Sequence, residues 1–342
     1  MKLIQLKLEN NSRVVGVIDN NKIFNITAVS KEIDTTYKLF EKVINGSKSL
    51  IDFVEELVLS SPELEFTYDQ ILESTEKLSI KLLPAIDHPD PYRLFISGTG
   101  LTHTGSVKSR YMMHNENDSK KELTDSAKMF EMGLKGGKPK VGKVGVAPEW
   151  FYKGNGLNLR GPIDMLIIPN FSLDGGEEPE IVGCYFIDKH GNPVRIGFTL
   201  GNEFSDHETE QINYLYVAHS KLRNCSIGAE VNTSLDFSDI TVNCDVFRED
   251  VKIYESGNLK SGEEFMSHSL SNMEYHHFKY DLHRNPGDLH LHFFGTSQLS
   301  YSTRKWKFET GDKIIISSDQ FDGFLENSIE KVTDIRFQIK KV

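Results

Sequence analysis

The sequence is poor in cysteine, has no long apolar run and carries little positive charge. Each shortage removes a class of function. Three cysteines, Cys184, Cys225 and Cys244, occur in 342 residues. Their number is odd and no CxxC pair occurs, so no disulfide framework is expected and a reducing, cytoplasmic setting is. No stretch approaches the roughly 20 apolar residues that span a bilayer. The opening MKLIQLKLENNSRVV alternates apolar and polar residues, unlike the continuous apolar core of a signal peptide. A formal net charge of −11 argues against general affinity for nucleic acid or an anionic membrane. Internal repeats and low-complexity tracts are also lacking. Gly98-Thr99-Gly100 is not a dinucleotide fingerprint, because the third glycine is mis-spaced and no acid follows at the right interval.

What is present suits a folded protein of about two domains, with 38% apolar residues. Alternation predicts short strands over the first 26 residues, with Asn20-Asn21 as a turn. Apolar spacing at Leu39, Phe40, Val43 and Ile44, and at Leu50, Ile51, Val54 and Leu57, predicts two helices broken at Asn45-Gly46. Pro84 and Asp87-His88-Pro89-Asp90-Pro91 mark a boundary. Residues 1–88 are read as a small N-terminal α+β domain and 89–342 as a larger unit. That unit should hold helices within Asp118–Met132 and from about Glu208 to Leu222. Strands are expected at Met165–Ile168, Glu180–Ile187, Val194–Thr199, Ile240–Phe247, Lys252–Glu255, Leu289–Phe294 and Ile314–Ser317. The fold class is therefore α+β, mostly β, a mixed β-sandwich or β-roll.

Acids gather ahead of one of these strands and just after another. If the strand begins at Glu178, Glu178 and Glu180 share one face, since side chains alternate with period two. Two such carboxylates repel unless a cation or a proton lies between them. Glu203 follows the strand ending near Thr199, and Lys221 lies 18 residues on. Each also has a plainer reading: a solvated acidic turn, an acid at a helix N-terminus, a solvated lysine.

Taken in order, the segments resemble the fumarylacetoacetate hydrolase superfamily over Pro148 to Val332. Glu178-Pro179-Glu180 matches its metal-binding pair, Asn202-Glu203 its third ligand, and Lys221 its active-site lysine. Asn285-Pro286-Gly287-Asp288-Leu289 with Phe294-Gly295-Thr296 matches the segment that closes over substrate, and Gly311-Asp312 its final strand. Gly98-Thr99-Gly100-Leu101-Thr102-His103, Gly136-Gly137-Lys138-Pro139 and Pro148-Glu149-Trp150-Phe151-Tyr152-Lys153 are similar to the sugar-acid branch, the 2-keto-3-deoxy-arabinonate dehydratases. Two departures stand out. Glu203 replaces an aspartate, and the His/Glu pair of the hydrolases is missing.

The resemblance implies a cytoplasmic, homodimeric lyase of carbohydrate catabolism that takes a small 2-keto acid. Glu178, Glu180 and Glu203 would hold Mg²⁺ or Mn²⁺ with positions open for an organic chelate. Glu149, Lys221 and His103 are the expected catalytic residues. Lys153, Arg110, Gly295 and Thr296 are the expected substrate contacts. His103 and His114 are otherwise ordinary hydrogen-bonded histidines. The run His276, His277, His283, His290 and His292 lacks a complete zinc set and is expected as a wall or core. Acylpyruvate hydrolysis, oxaloacetate decarboxylation and simple sugar-acid binding are the alternatives.

Overall fold

The computed structural model describes residues 1–74, 80–105, 125–333 and 337–342. Arg110 and His114 lie outside the described residues. In chain order the strands are β1 (Lys2–Lys7), β2 (Arg13–Asp19), β3 (Lys22–Asn25), β4 (Lys81–Leu82), β5 (Leu94–Gly100), β6 (Glu149–Asn155), β7 (Leu159–Arg160), β8 (Leu166–Ile168) and β9 (Pro179–Ile187). They continue as β10 (Pro193–Asn202), β11 (Cys225–Ile227), β12 (Glu230–Asn232), β13 (Ile240–Arg248), β14 (Val251–Glu255), β15 (Leu259–Ser261), β16 (Leu289–Phe293), β17 (Lys313–Ser318) and β18 (Leu325–Lys331).

These strands build a 12-stranded sheet with the path β3-β2-β1-β12-β10-β9-β16-β5-β6, and a 6-stranded sheet with the path β14-β13-β17-β18-β8. Pairing is mostly antiparallel, with β16 and β5 parallel. Strand β9 explains the layering. Every one of its residues is buried, so its two faces meet two different cores. Ile181, Tyr185 and Ile187 join Ile240, Val242, Ile314 and Ile316 of the small sheet. Val182, Cys184 and Phe186 join Leu39, Phe40 and Val54 of the N-terminal helices. The protein is thus a sandwich on one side of the large sheet and a helical layer on the other, the α+β, mostly β class expected. All three cysteines are free and buried. None of the described helices is long and apolar enough to cross a membrane.

The two N-terminal helices are Thr36–Ile44 and Leu50–Val58, each started by a side-chain cap, Thr35 to Lys38 N and Ser49 to Asp52 N. The N-terminal residues are continuous with the rest. Strand β1 pairs with β12, Leu3 opposite Val231. Buried Gln5 donates to Pro84 O at 2.8 Å and accepts from Thr36 N at 2.9 Å.

Several elements differ from the sequence reading. The helix expected from Glu208 to Leu222 is broken into His207–Ile212, a 3-10 turn Tyr214–Tyr216 and Val217–Lys221. Asn213 breaks it: its backbone is extended and its side chain caps Leu215 N, the local competition that makes Asn a poor helix interior. The helix expected within Asp118–Met132 is described over Asp125–Gly136. Strands β5 and β6 were hidden by Gly98, Gly100 and Gly154, since glycine reads as a break in a strand.

Candidate metal centre

The antiparallel pairing of β9 with β10 sets Gly201 opposite Glu180 and Asn202 opposite Pro179. Just beyond the paired ends, Asn202 Oδ1 accepts from Glu178 N at 3.2 Å and Glu203 N donates to Glu178 O at 3.0 Å. The crossing is thereby locked. It brings one carboxylate oxygen each from Glu178, Glu180 and Glu203 within 4.8 Å of one another, all three residues buried. Among the described residues this is the one such cluster of metal-ligand side chains.

Each carboxylate is anchored through one oxygen. Glu178 Oε1 accepts from Lys221 Nζ and lies 3.1 Å from His207 Nε2. Glu180 Oε2 accepts from Gly295 N at 2.7 Å, and Glu203 Oε2 from Lys221 Nζ at 3.0 Å. The opposite oxygens, Glu180 Oε1 and Glu203 Oε1, are buried without a hydrogen-bond partner among the described residues, although Glu203 Oε1 has the Lys153 ammonium 3.7 Å away, which leaves Glu180 Oε1 the more exposed to the penalty of burial. A buried, unpaired carboxylate oxygen is strongly unfavourable. A hard divalent cation removes that penalty, because it takes carboxylate oxygens and leaves room for further ligands. The donor set therefore fits Mg²⁺ or Mn²⁺, and carries no sulfur or imidazole that would favour a softer ion.

The electrostatics agree. Burial pushes Glu178 up, but the charge of Lys221 and the bonds from His207 and Lys221 outweigh it and hold its carboxylate far below the usual range. Burial, then the charges of Glu203 and Glu178, push Glu180 well above it. Burial raises Glu203 to about 7 against the opposing pull of Lys221. Lys221 stays charged because Glu178 and Glu203 overcome its burial. Without a cation, Glu180 and Glu203 thus prefer a proton in the folded protein. Their contribution to stability is full below the ordinary value of 4.5 and is lost as pH rises through about 7 for Glu203. Metal binding must expel both protons, so affinity should rise with pH by about tenfold per unit for each proton released. Differential scanning fluorimetry with and without Mg²⁺ should give a clearly larger stabilisation at pH 8 than at pH 6. Equal shifts would contradict it.

The remaining expected residues divide. Glu149 opens β6, opposite Gly100. Its Oε1 lies 2.0 Å from where a Cβ on Gly100 would sit, so a larger residue there would displace the carboxylate from this position. Two residues along the same face, the Phe151 ring lies 4.9 Å under Lys221 Nζ, which aligns Glu149 with the acidic cluster. Lys153, expected as a substrate contact, is fully buried; it donates to Phe204 O at 2.5 Å and Glu203 O at 3.3 Å and thereby braces the third acid. His103, expected as catalytic, is fully buried beside Thr102 Oγ1 at 3.1 Å and Ser261 Oγ at 3.3 Å, and burial lowers it to about 3. Gly295 spends its N–H on Glu180, and Thr296 Oγ1 donates to Gln298 O at 3.2 Å. Both therefore serve the ligand shell and its loop. Arg110 lies outside the described residues. The Pro286-Gly287-Asp288 turn binds Arg93, through Pro286 O and Asp288, at the entry to β5.

Of the histidine run, expected as a wall or core, His277, His283, His290 and His292 are buried. His277 Nε2 lies 3.0 Å from His290 Nδ1 and Trp150 Nε1 donates to His277 Nδ1 at 3.2 Å, with β16 between this cluster and the helical layer. His207 was missed. It directly follows Asp206, and a histidine at a helix start gives no signal of its own; its position four residues after Glu203 was the available clue.

Two packed sheets and a helical layer thus carry three carboxylates beside a lysine. No family model matches the sequence, and no curated protein does. Solved structures do. A 2-keto-3-deoxy-D-arabinonate dehydratase in its apo form aligns with TM-score 0.69 and 18% identity over 97% of this chain and 99% of that one. The dehydratase complexed with magnesium and 2,5-dioxopentanoate aligns with TM-score 0.69 and 17% identity over 98% and 100%. The fumarylacetoacetate hydrolase of psychrophilic Exiguobacterium antarcticum aligns with TM-score 0.58 and 14% identity over 97% and 100%. At these identities the likeness carries the fold.

Proposed function

We propose that the chain is a metal-dependent hydro-lyase that removes water from a 2-keto-3-deoxy sugar acid, converting 2-keto-3-deoxy-arabinonate to 2,5-dioxopentanoate. The observation that carries this reading is the trio Glu178, Glu180 and Glu203, each tied by one oxygen, with Glu180 Oε1 and Glu203 Oε1 buried without a hydrogen-bond partner among the described residues. The similar dehydratase structure with magnesium and 2,5-dioxopentanoate supports the choice of ion and product class.

Bound there, a hard divalent cation supplies a Lewis acid for the carboxylate and ketone oxygens of a 2-keto acid. The protein's own groups do the rest. Lys221 balances the acidic cluster and keeps one N–H for a substrate oxygen, since Glu178 and Glu203 occupy two. Glu149 takes a proton from C3 and returns one to the departing C4 hydroxyl. A proton shift from C5 to C3 then leaves an enol at C4–C5, and the transfer of its hydroxyl proton to C4 gives the aldehyde, so the balance is substrate to product plus one water. Lys153 holds the Glu203 segment still while this occurs.

The test is a panel of keto-deoxy sugar acids and acylpyruvates, with Mg²⁺ and with chelator. Semialdehyde release from 2-keto-3-deoxy-arabinonate, lost on chelation, is expected. Pyruvate release from acylpyruvates with no turnover of the sugar acids would replace this reading with a hydrolase.

A further inference from the structure

His207 has no part in the scheme above, yet its surroundings are unusually specific. Asp206 fixes its backbone: the carboxylate accepts from Thr209 N at 3.1 Å, Leu173 N at 3.0 Å, Asp174 N at 3.2 Å and Arg223 Nη2 at 3.1 Å. One side of the imidazole rests against Gly176. A Cβ there would stand 2.1 Å from His207 Nδ1, so the ring occupies the space a side chain would need. Ser205 N donates to Gly176 O at 2.9 Å, which holds that wall in place. Tyr301 lies on another side, ring centroids 5.2 Å apart. The ring is buried, and its Nε2 is left 3.1 Å from Glu178 Oε1. Since a carboxylate only accepts, Nε2 carries the hydrogen.

We propose that His207 is a positioning residue that orients Glu178 for the cation, a role that rests on the metal-centre reading above. Lys221 also donates to Glu178 Oε1, but it has a second duty at Glu203 and a third toward substrate. Its three N–H groups are thus divided among three partners, whereas the imidazole, wedged between Gly176 and Tyr301, directs its Nε2 to Glu178. Partners of metal ligands commonly set affinity in this way.

The test uses the full chain, with Mg²⁺ titrated by calorimetry and Mn²⁺ by electron paramagnetic resonance. His207→Leu should weaken binding of both ions about tenfold or more while circular dichroism and metal-free melting stay near native. His207→Gln, whose amide reaches about as far as Nε2, should recover most of the affinity. Gly176→Ala should push the ring away and weaken binding like His207→Leu, which keeps the test open if the leucine variant does not fold. Native affinity in a folded His207→Leu, with affinity lost in Glu178→Gln, would overturn the role of His207. Native affinity in Glu178→Gln as well would overturn the metal centre itself.

Discussion

A Glu180→Gln variant should lose metal-dependent turnover by well over about 100-fold, the upper end of what a mere partner of a ligand contributes, and should keep or gain stability without metal. Glu180 is buried, repelled by Glu203 and Glu178, and held well above the ordinary carboxylate range. In the cation-free protein it therefore carries a proton, and a neutral amide of the same shape resembles it closely. The amide oxygen can still accept from Gly295 N, which is 2.7 Å from Glu180 Oε2, while the amide nitrogen replaces the bare Oε1. What disappears is one anionic ligand. Melting curves with and without Mg²⁺ give the check: the native protein should shift upward with Mg²⁺ and the variant should not. A variant that loses stability before any metal is added, or still shifts, would contradict the assignment.

Glu149→Gln should reduce turnover by about 100- to 10,000-fold, the range for removing a general acid-base group, and leave Mg²⁺ affinity within about twofold. Glu149 shares a strand face with Phe151, whose ring lies under Lys221, yet it is not among the carboxylates that meet at the cluster. It can therefore exchange protons with substrate without belonging to the ligand set. The pairing of effects is diagnostic. Loss of turnover with intact metal binding assigns it to proton transfer, whereas parallel loss of both would make it a structural support for the strand.

Much of this was legible in the sequence, for identifiable reasons. The apolar run Ile181–Ile187 and the alternation in β13 and β17 gave the layers, because burial on one or both faces writes itself into period two. Glu178, Glu180, Glu203 and Lys221 were recoverable through the resemblance to the fumarylacetoacetate hydrolase superfamily, since each had a plainer reading by itself. Side chains acting on those residues were not. Lys153 looks like any lysine on a strand until the carbonyls of Glu203 and Phe204 are seen around it. The N–H of Gly295 has no sequence signature, and its partner Glu180 lies 115 residues away. Asn213 carried a usable signal, as a residue that competes for helical hydrogen bonds, but apolar spacing across it concealed the break.

The seam between β1 and β12 bears on how the protein can be handled. Lys2, Leu3 and Ile4 cover Asn232, Val231 and Glu230. A truncation that starts after residue 88 would strip that cover and bare a row of amides and carbonyls on β12, an open edge that invites self-association. The larger segment expressed by itself should aggregate rather than work as an independent catalyst. Adding residues 1–88 back as a separate polypeptide should restore a soluble species, which size-exclusion chromatography would reveal.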